Sequence, residues 1–285
     1  MSQWKPVYCW YTQPMTNTTK NLNTYLTNNA PDLVPHEASR EAWWDFRADR
    51  GYHTIKARYL SEPNQKIAKN RIPTISFTGA PHRMSGLNAC TNSTKTCRQV
   101  CIRYTGRLEM PHAVRVGIDR MEFLRLKPSE ACSLIHWETT LAAGRTEQLG
   151  RRLNVVTDIR WPDHAGWLFT EAPDNVVTYD YTKHWDRDEW PTDRYRLTFS
   201  ATERHNVDDI REKTATGACV AVVFPAEHKE TGYPDAWHGI PVIDGDITDF
   251  RYEDPAGCIV ALYAKGRARK LPTGTGRFVK TMEAF

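Results

Sequence analysis

Residues 195–224, YRLTFSATERHNVDDIREKTATGACVAVVF, decide the fold class. The stretch begins and ends with short apolar runs, residues 195–200 and 218–224, which have the length and composition of buried strands in a parallel sheet. Residues 206–213, between them, follow a helical pattern and predict a helix. Because parallel neighbours need a crossover connection, strand, helix and strand in this order predict an α/β protein.

Runs of the same kind flank this stretch on both sides. They are residues 74–77, 153–159, 175–181, 240–243 and 258–264. Two helices are predicted between the first two of these runs. One begins near Pro111, because Pro favours the first turn of a helix, and the other begins after residues 128–129 and ends at Gly144, because Gly favours the end of a helix. A further short helix is predicted at residues 36–46.

The length of the chain limits the architecture. A closed (β/α) barrel of the TIM type usually takes about 250 residues, and the predicted elements extend only from residue 73 to residue 265. We therefore predict an incomplete or irregular (β/α) barrel with parallel strands, and the alternative is a doubly wound open sheet. Residues 73–285 would form this α/β domain, and residues 1–72 would form an extended N-terminal lead-in with a short helix that packs on it.

The composition is that of an ordinary globular protein. Of the 285 residues, 40% are hydrophobic and 25% are charged, which excludes a disordered or fibrous chain. No apolar run is long enough to span a membrane, and residues 1–15 lack the apolar region of a secretion signal, so we expect no membrane partner and a cytoplasmic location. The net charge of +4 leaves nucleic acid as a candidate partner.

Ionisable side chains lie at or just after the ends of three predicted strands. They are Asp158, Asp180 with Lys183, and Glu203. The carboxyl ends of parallel strands converge on one edge of an α/β fold, where active sites are built. We predict that these four residues bind or polarise a substrate that the sequence does not identify; the alternative is that polar residues only terminate the strands. The acidic stretch at residues 244–249 is interpreted as a plain turn, because it lacks the spacing of a calcium-binding loop.

Three of the seven cysteines form a cluster. An odd number cannot pair fully, and in a reducing compartment clustered cysteines are typical of metal or redox sites. Cys90, Cys97 and Cys101 follow the first predicted strand in a polar segment, with the spacing C-x6-C-x3-C. Cys97 and Cys101 would share one face of a helix if residues 96–104 were helical.

Three thiolates can hold three corners of a metal site. The hypothesis that we favour is a [4Fe–4S] cluster, in which three cysteines leave one iron atom for another ligand or a substrate. A zinc ion would need a fourth ligand to close its site. The sequence does not choose among the candidates for it, which are His82, His164, Cys219 and Cys258. The third alternative is that the cluster binds no metal.

Several stretches resemble the bacteriophage proteins of the gene product 88 family. They are residues 60–61 (LS), 64–67 (NQKI), 81–90 (PHRMSGLNAC) with Cys97 and Cys101, 152–161 (RLNVVTDIRW), 179–183 (YDYTK), 197–203 (LTFSATE) and 242–246 (VIDGD). The resemblance implies a phage protein that works in the cytoplasm of the host bacterium. It implies no particular activity.

The layout is also similar, more distantly, to that of radical SAM enzymes, which place three cluster cysteines after the first strand of a partial α/β barrel. Their usual spacing is C-x3-C-x2-C, whereas this chain has C-x6-C-x3-C, and no glycine-rich SAM-binding turn is evident. This similarity makes S-adenosylmethionine a candidate second cofactor.

A second hypothesis is a non-catalytic module in which a metal stabilises the fold and a basic surface binds nucleic acid or a host protein. Basic stretches at residues 47–71 and 265–270 motivate it. His184 and Trp185 are candidates for stacking on bases, although ring packing within the fold would explain them equally well.

Overall fold

The computed structural model describes residues 21–62, 72–187 and 193–282. In these residues eight strands form one sheet in the order β1-β2-β3-β4-β5-β8-β7-β6, and all neighbours are parallel except β6 and β7. The strands are β1 (Thr74–Ser76), β2 (Leu149–Arg152), β3 (Val176–Thr182), β4 (Tyr195–Ser200), β5 (Cys219–Phe224), β6 (Ala236–Trp237), β7 (Ile240–Asp244) and β8 (Ile259–Tyr263). The sheet is not closed, so the predicted α/β class with an incomplete barrel of parallel strands is confirmed.

The helices cover the sheet and include those that the sequence predicts. The α-helices are α1 (Leu22–Asn28), α2 (His36–Asp49), α3 (Lys95–Gln99), α4 (Pro111–Leu126), α5 (Pro128–Ala143), α6 (Trp161–His164), α7 (Trp167–Thr170), α8 (Val207–Ala215) and α9 (His228–Thr231). Short 3-10 helices span Ile102–Tyr104, Gly106–Glu109 and Gly266–Lys270. None of the helices in the described ranges is both long and apolar enough to cross a membrane.

The predicted strand at residues 153–159 is wrong. The strand at this place is β2, whose backbone pairs with β1 at Gly150 and with β3 at Leu149. Gly150 permits a close approach, because a Cβ atom there would lie 2.4 Å from the Thr74 hydroxyl oxygen. Residues 153–159 form a buried loop instead. Its apolar side chains, Leu153, Val156 and Ile159, enter the core, and an apolar run by itself does not distinguish a buried loop from a buried strand.

The described part of the lead-in shares its core with the sheet. Trp43 of α2 makes edge-to-face contacts with Tyr59 and with Phe123 of α4, with ring centroids 5.0 and 5.1 Å apart. The Glu138 carboxylate of α5 accepts hydrogen bonds from the backbone N–H groups of Tyr59 and Leu60, both at 2.8 Å. Residues 21–62 thus pack against α4 and α5. Three features of the sequence lie outside the described residues: Cys9, residues 64–67 and part of the basic stretch at 47–71.

Candidate cysteine-lined site

Cys90 is held between two loops at the carboxyl edge of the sheet. Its backbone N–H donates to the Asn88 side-chain oxygen at 3.1 Å, and its Sγ accepts from the His82 backbone N–H at 3.4 Å. The next backbone contact comes from the loop after β2, where the Asp158 N–H donates to the Ala89 carbonyl at 2.8 Å. Cys90 is therefore adjacent to the strand-end residue Asp158, as the convergence of parallel strands predicts.

Cys97 lies in the short helix α3, which is held at its N-terminus. Thr94 is the N-cap: its hydroxyl oxygen accepts from the Cys97 backbone N–H at 3.0 Å and donates to the Glu203 carboxylate at 3.0 Å. Glu203 follows β4, so a strand end fixes the helix that carries Cys97. This acidic group also complements the positive end of the helix.

The condition under which Cys97 and Cys101 would share a helix face, a continuous helix over residues 96–104, is not met. Helix α3 ends at Gln99, and Cys101 has extended backbone angles, φ −52° and ψ 135°, where it precedes the 3-10 helix Ile102–Tyr104. The side chain of Val100 explains the break, because it is buried in a cluster with Ala264, Ala268 and Val279 near the C-terminus. This tertiary contact overrides the local helical pattern. Consequently Cys97 lies in a helix and Cys101 in an extended segment, so the two residues do not share a helix face.

The three thiols and Asp158 interact electrostatically with the Lys183 ammonium. Burial lowers the pKa of Lys183, but its interactions with Cys97, Asp158, Cys90 and Cys101 more than offset this and leave the pKa raised. Burial raises the pKa of the Cys90 thiol to about 12, and it raises the pKa of Cys101 as well. These two thiols are therefore protonated at neutral pH, and a metal would have to displace their protons.

Asp158 joins this group at the rim. Its Oδ1 accepts from the Thr182 hydroxyl and its Oδ2 from the Lys183 backbone N–H, both at 2.9 Å. The His184 Nε2 lies 4.0 Å from Oδ2. Because two hydrogen bonds tie its carboxylate to the end of β3, Asp158 is a fixed negative charge beside Cys90 and Lys183.

Asp180 has a different position from the other predicted site residues. It is completely buried, and its carboxylate accepts from the backbone N–H and side-chain amide of Asn154 at 2.6 and 3.2 Å. Burial raises the pKa of Asp180 to about 6. Since Asn154 also bonds the backbone of Ile159 through both ends of its amide, at 3.0 and 2.8 Å, Asp180 shapes the loop that presents Asp158 to the site.

The Glu203 carboxylate forms hydrogen bonds with the cysteine segment. Burial raises its pKa, but hydrogen bonds from the Glu203 backbone, from Thr96 and from Thr94 lower the pKa overall. Its carboxylate faces the start of α3, which makes it a positioning group for Cys97. The structure thus places Asp158 and Lys183 beside the thiols. Asp180 and Glu203 do not contact the thiols and instead hold the residues that do or that carry them.

The four candidate extra ligands are widely separated. Only His82 contacts the cysteine segment; its backbone adopts a left-handed φ of 51°. The His164 ring bonds the Asn23 side chain in α1 at 3.0 Å. Cys219 and Cys258, with their sulfur atoms 3.5 Å apart, lie at the starts of β5 and β8, on the opposite edge of the sheet. Across the described ranges, no three His, Cys, Asp or Glu side chains come close enough together to hold a single metal ion.

The acidic stretch after β7 forms a turn. Asp246 accepts from the Lys265 ammonium at 2.5 Å and from the Tyr263 backbone N–H at 2.9 Å. Its backbone N–H bonds the side chain of Asp244 at 2.8 Å. These contacts join the ends of β7 and β8 and explain the carboxylates as structural groups, as the sequence interpretation expects.

A cleft of about 310 Å³ lies beside Lys183, and residues that follow β3 and β4 form most of its lining. Its lining includes Asn92, Lys183, His184, Trp185, Arg204 and His205. The Trp185 and His205 rings stack with centroids 3.8 Å apart and planes 15° from parallel. The sequence pattern singled out His184 and Trp185 but missed Asn92, Arg204 and His205. Their position, directly after a cysteine or a strand end, was the only signal that could have identified them.

A buried lysine near the C-terminus supports one wall of this cleft. The Lys280 ammonium donates to the carbonyls of Thr202 and His205 at 3.2 and 2.9 Å, and to those of Thr275 and Arg277 at 3.0 and 2.9 Å. It thereby fastens the turn after β4 to the C-terminal segment. Sequence reasoning missed Lys280, because nothing local distinguishes it from a surface lysine.

Fold and site together define a class of protein: an open, mostly parallel α/β sheet that carries a three-cysteine segment and a cleft at its carboxyl edge. The chain belongs to the gene product 88 family, whose model matches residues 53–279. This confirms the resemblance to bacteriophage gene product 88 proteins, and the matched region includes the cysteines and the cleft. No curated protein and no solved structure matches the chain significantly. The similarity to radical SAM enzymes stays a prediction.

Proposed function

We propose that this phage protein binds a [4Fe–4S] cluster through Cys90, Cys97 and Cys101 and works as a radical SAM-like enzyme in the host cytoplasm. One observation carries the proposal: three thiols with different backbone settings lie within electrostatic reach of the Lys183 ammonium at the carboxyl edge of a parallel sheet. Sites in such folds are built at this edge.

The donor set suits a cluster better than a single ion. A closed zinc site needs a fourth ligand from outside the three cysteines, whereas a [4Fe–4S] cluster can be held by three. In a cluster each thiolate binds a different iron atom, so its ligands stand farther apart, and the positive charge of Lys183 would offset the negative charge of the assembled site. When bound, such a cluster supplies one-electron chemistry and one iron atom that is open to a substrate or to S-adenosylmethionine.

The remaining residues have distinct tasks in this proposal. Lys183 and Asp158 place a positive and a negative charge between the cysteines and the cleft. Glu203 holds α3 and therefore Cys97, and Asp180 shapes the loop that carries Asp158. The cleft beside Lys183 would receive the substrate.

The test is anaerobic purification and reconstitution of the full chain, with assays of iron, sulfide and the visible and EPR spectra. Cys97→Ala should lose most of the iron and sulfide, whereas Cys132→Ala, which removes a buried thiol of α5, should keep both. Adding S-adenosylmethionine to the reduced wild-type protein should change its EPR spectrum. A colourless wild-type protein without iron or sulfide after reconstitution contradicts the cluster.

An alternative is a metal-stabilised module that binds nucleic acid or a host protein without catalysis. The observation in its favour is the basic 3-10 helix Gly266–Lys270, which packs on the cysteine segment and places Arg267 over the Tyr104 ring at 4.5 Å. If Cys97→Ala unfolds the protein and the wild type shifts DNA or RNA in a salt-sensitive way, the alternative gains. A folded Cys97→Ala variant without metal favours the enzyme.

A further inference from the structure

The cleft beside Lys183 carries a positive charge. Lys183 and Arg204 are its cations, and Asp186 is its one carboxylate in the described lining. Asp186 is offset by Arg160, whose guanidinium lies 3.4 Å away. The neighbouring Glu203 carboxylate is engaged with Thr94 and faces α3. Asp158, whose carboxylate accepts from the Lys183 backbone N–H, offsets part of the Lys183 charge, so Arg204 carries most of the remaining positive charge that favours an anion.

The two cations are available to a ligand. Within the described part of the chain, the side chains of Lys183 and Arg204 donate no hydrogen bond. Arg204 is exposed in the lining of the cleft, whereas Lys183 is half-buried there and interacts electrostatically with the thiols. Two cations in the lining of one small cleft can together bind an anionic group, and guanidinium pairs well with phosphate oxygens.

The aromatic wall of the cleft is fixed before any ligand arrives. The Trp185 indole N–H donates to the Ser200 carbonyl at 3.2 Å, and the Lys213 ammonium donates to the Trp185 carbonyl at 3.0 Å. His205 accepts from the Thr202 backbone N–H through Nδ1 at 3.1 Å, so its proton is on Nε2 and can be donated. Burial lowers the pKa of His205 to about 4, and the neutral ring stacks on the indole. A rigid platform of this kind favours a planar ligand.

We propose that this cleft binds a nucleotide unit, with its base against Trp185 and His205 and its phosphate between Arg204 and Lys183. The inference deepens the proposed function, on which it rests for the role of the bound molecule, by naming the class of substrate. A volume of about 310 Å³ is at the small end of ligand sites and suits one nucleotide. A free nucleotide and the 5′-phosphorylated end of a strand share this chemistry.

Calorimetric titration of the full chain with adenosine 5′-monophosphate, adenosine and inorganic phosphate tests the proposal. The nucleotide should bind at least about tenfold more tightly than either fragment, because only it uses both the cations and the platform. Arg204→Met should weaken nucleotide binding about tenfold and leave adenosine binding unchanged. Lys270→Met removes an exposed cation from the basic 3-10 helix as a matched control and should change neither.

Two further measurements identify the source of the nucleotide and separate this inference from the cluster. A short oligonucleotide with a 5′-phosphate that outcompetes the mononucleotide indicates a strand end, and the reverse order indicates a free nucleotide. Cys97→Ala should lose iron and keep nucleotide binding, so failure of the cluster and failure of the cleft give different results. No nucleotide binding at millimolar concentration, equal affinity for adenosine, or an unaffected Arg204→Met variant overturns the proposal.

Discussion

Asn154 and Asp180 join the loop after β2 to the end of β3 through two hydrogen bonds, at 2.6 Å from the Asn154 backbone N–H and at 3.2 Å from its side-chain amide. The Tyr195 hydroxyl approaches the same carboxylate at 3.5 Å. This buried pair fixes the loop that presents Asp158 to the cysteines. A carboxylate that the sequence places among the substrate-binding residues is thus an internal support of the site.

Removing the Asp180 charge should change how stability depends on pH. Burial raises its pKa to about 6, so the stability that this group contributes below the usual pKa of an aspartate is lost as the pH rises through about 6. The shift of about two units corresponds to about 3 kcal/mol. Asp180→Asn cannot titrate, and its free energy of unfolding relative to the wild type should rise by up to about that amount between pH 4 and pH 7.

Urea unfolding of both proteins at several pH values measures this difference. Asp45→Asn, which neutralises an exposed carboxylate on α2, is the control and should follow the wild type throughout. Parallel pH profiles for Asp180→Asn and wild type would show that the buried carboxyl does not titrate in this window.

Glu203→Gln should loosen the helix that carries Cys97. The substitution keeps the shape of the side chain but removes the charge that accepts from Thr94 and faces the N-terminus of α3, for an expected loss of about 1 kcal/mol. Amide hydrogen exchange at Cys97, whose N–H bonds the Thr94 hydroxyl, should accelerate about fivefold or more. Glu212→Gln, an exposed change on α8, should leave this amide unaffected, and equal exchange in both variants would contradict the predicted cap.

Lys280→Met should destabilise the protein by about 1 to 3 kcal/mol, because it leaves buried carbonyl oxygens without their donor. The same variant should release the turn after β4, which is seen as faster exchange of the His205 N–H that bonds the Thr202 carbonyl at 3.2 Å. Lys270→Met serves as the control, since Lys270 is exposed. If Lys280→Met and Lys270→Met unfold at the same temperature, water replaces the Lys280 ammonium without a loss in the free energy of unfolding.

Gly117→Ala should destabilise α4 even though alanine is the better helix former. A Cβ atom at Gly117 would lie 2.6 Å from the Gly79 carbonyl oxygen and 3.1 Å from a guanidinium nitrogen of Arg103. Overpacking of this kind costs about 2 kcal/mol, which exceeds the gain in helix propensity of about 1 kcal/mol.

Gly144→Ala is the matched control for Gly117→Ala, because no neighbouring atom lies closer than 3.8 Å to the added carbon and the backbone φ of −65° is open to any residue. Chemical denaturation should therefore separate the two variants by at least about 1 kcal/mol. A stabilised Gly117→Ala protein would show that α4 can move away from the loop at Gly79.

Local patterns predicted most of the regular elements. Helix α8 follows from the helical pattern of residues 206–213, α4 from the proline at its first turn, and α5 from the signals at residues 128–129 and at Gly144 that bound it. The strand predicted at residues 153–159 and the helix considered over residues 96–104 are absent for the same kind of reason. In both places a contact remote in sequence sets the backbone: the Asp180 carboxylate at the first, and the packing of Val100 on the C-terminal segment at the second.

The sequence by itself determined the α/β class, the three-cysteine segment and the polar strand ends, because hydrophobic periodicity and residue spacing are properties of short stretches. Only the tertiary structure decided which of those polar groups meet. It directs Asp180 inward, brings the thiols within electrostatic reach of Lys183 and uses Lys280 to fasten the turn that carries Arg204 and His205. These contacts depend on how separate elements pack. The local sequence is compatible with several arrangements of the polar groups, and burial and hydrogen bonding across the sheet stabilise one of them.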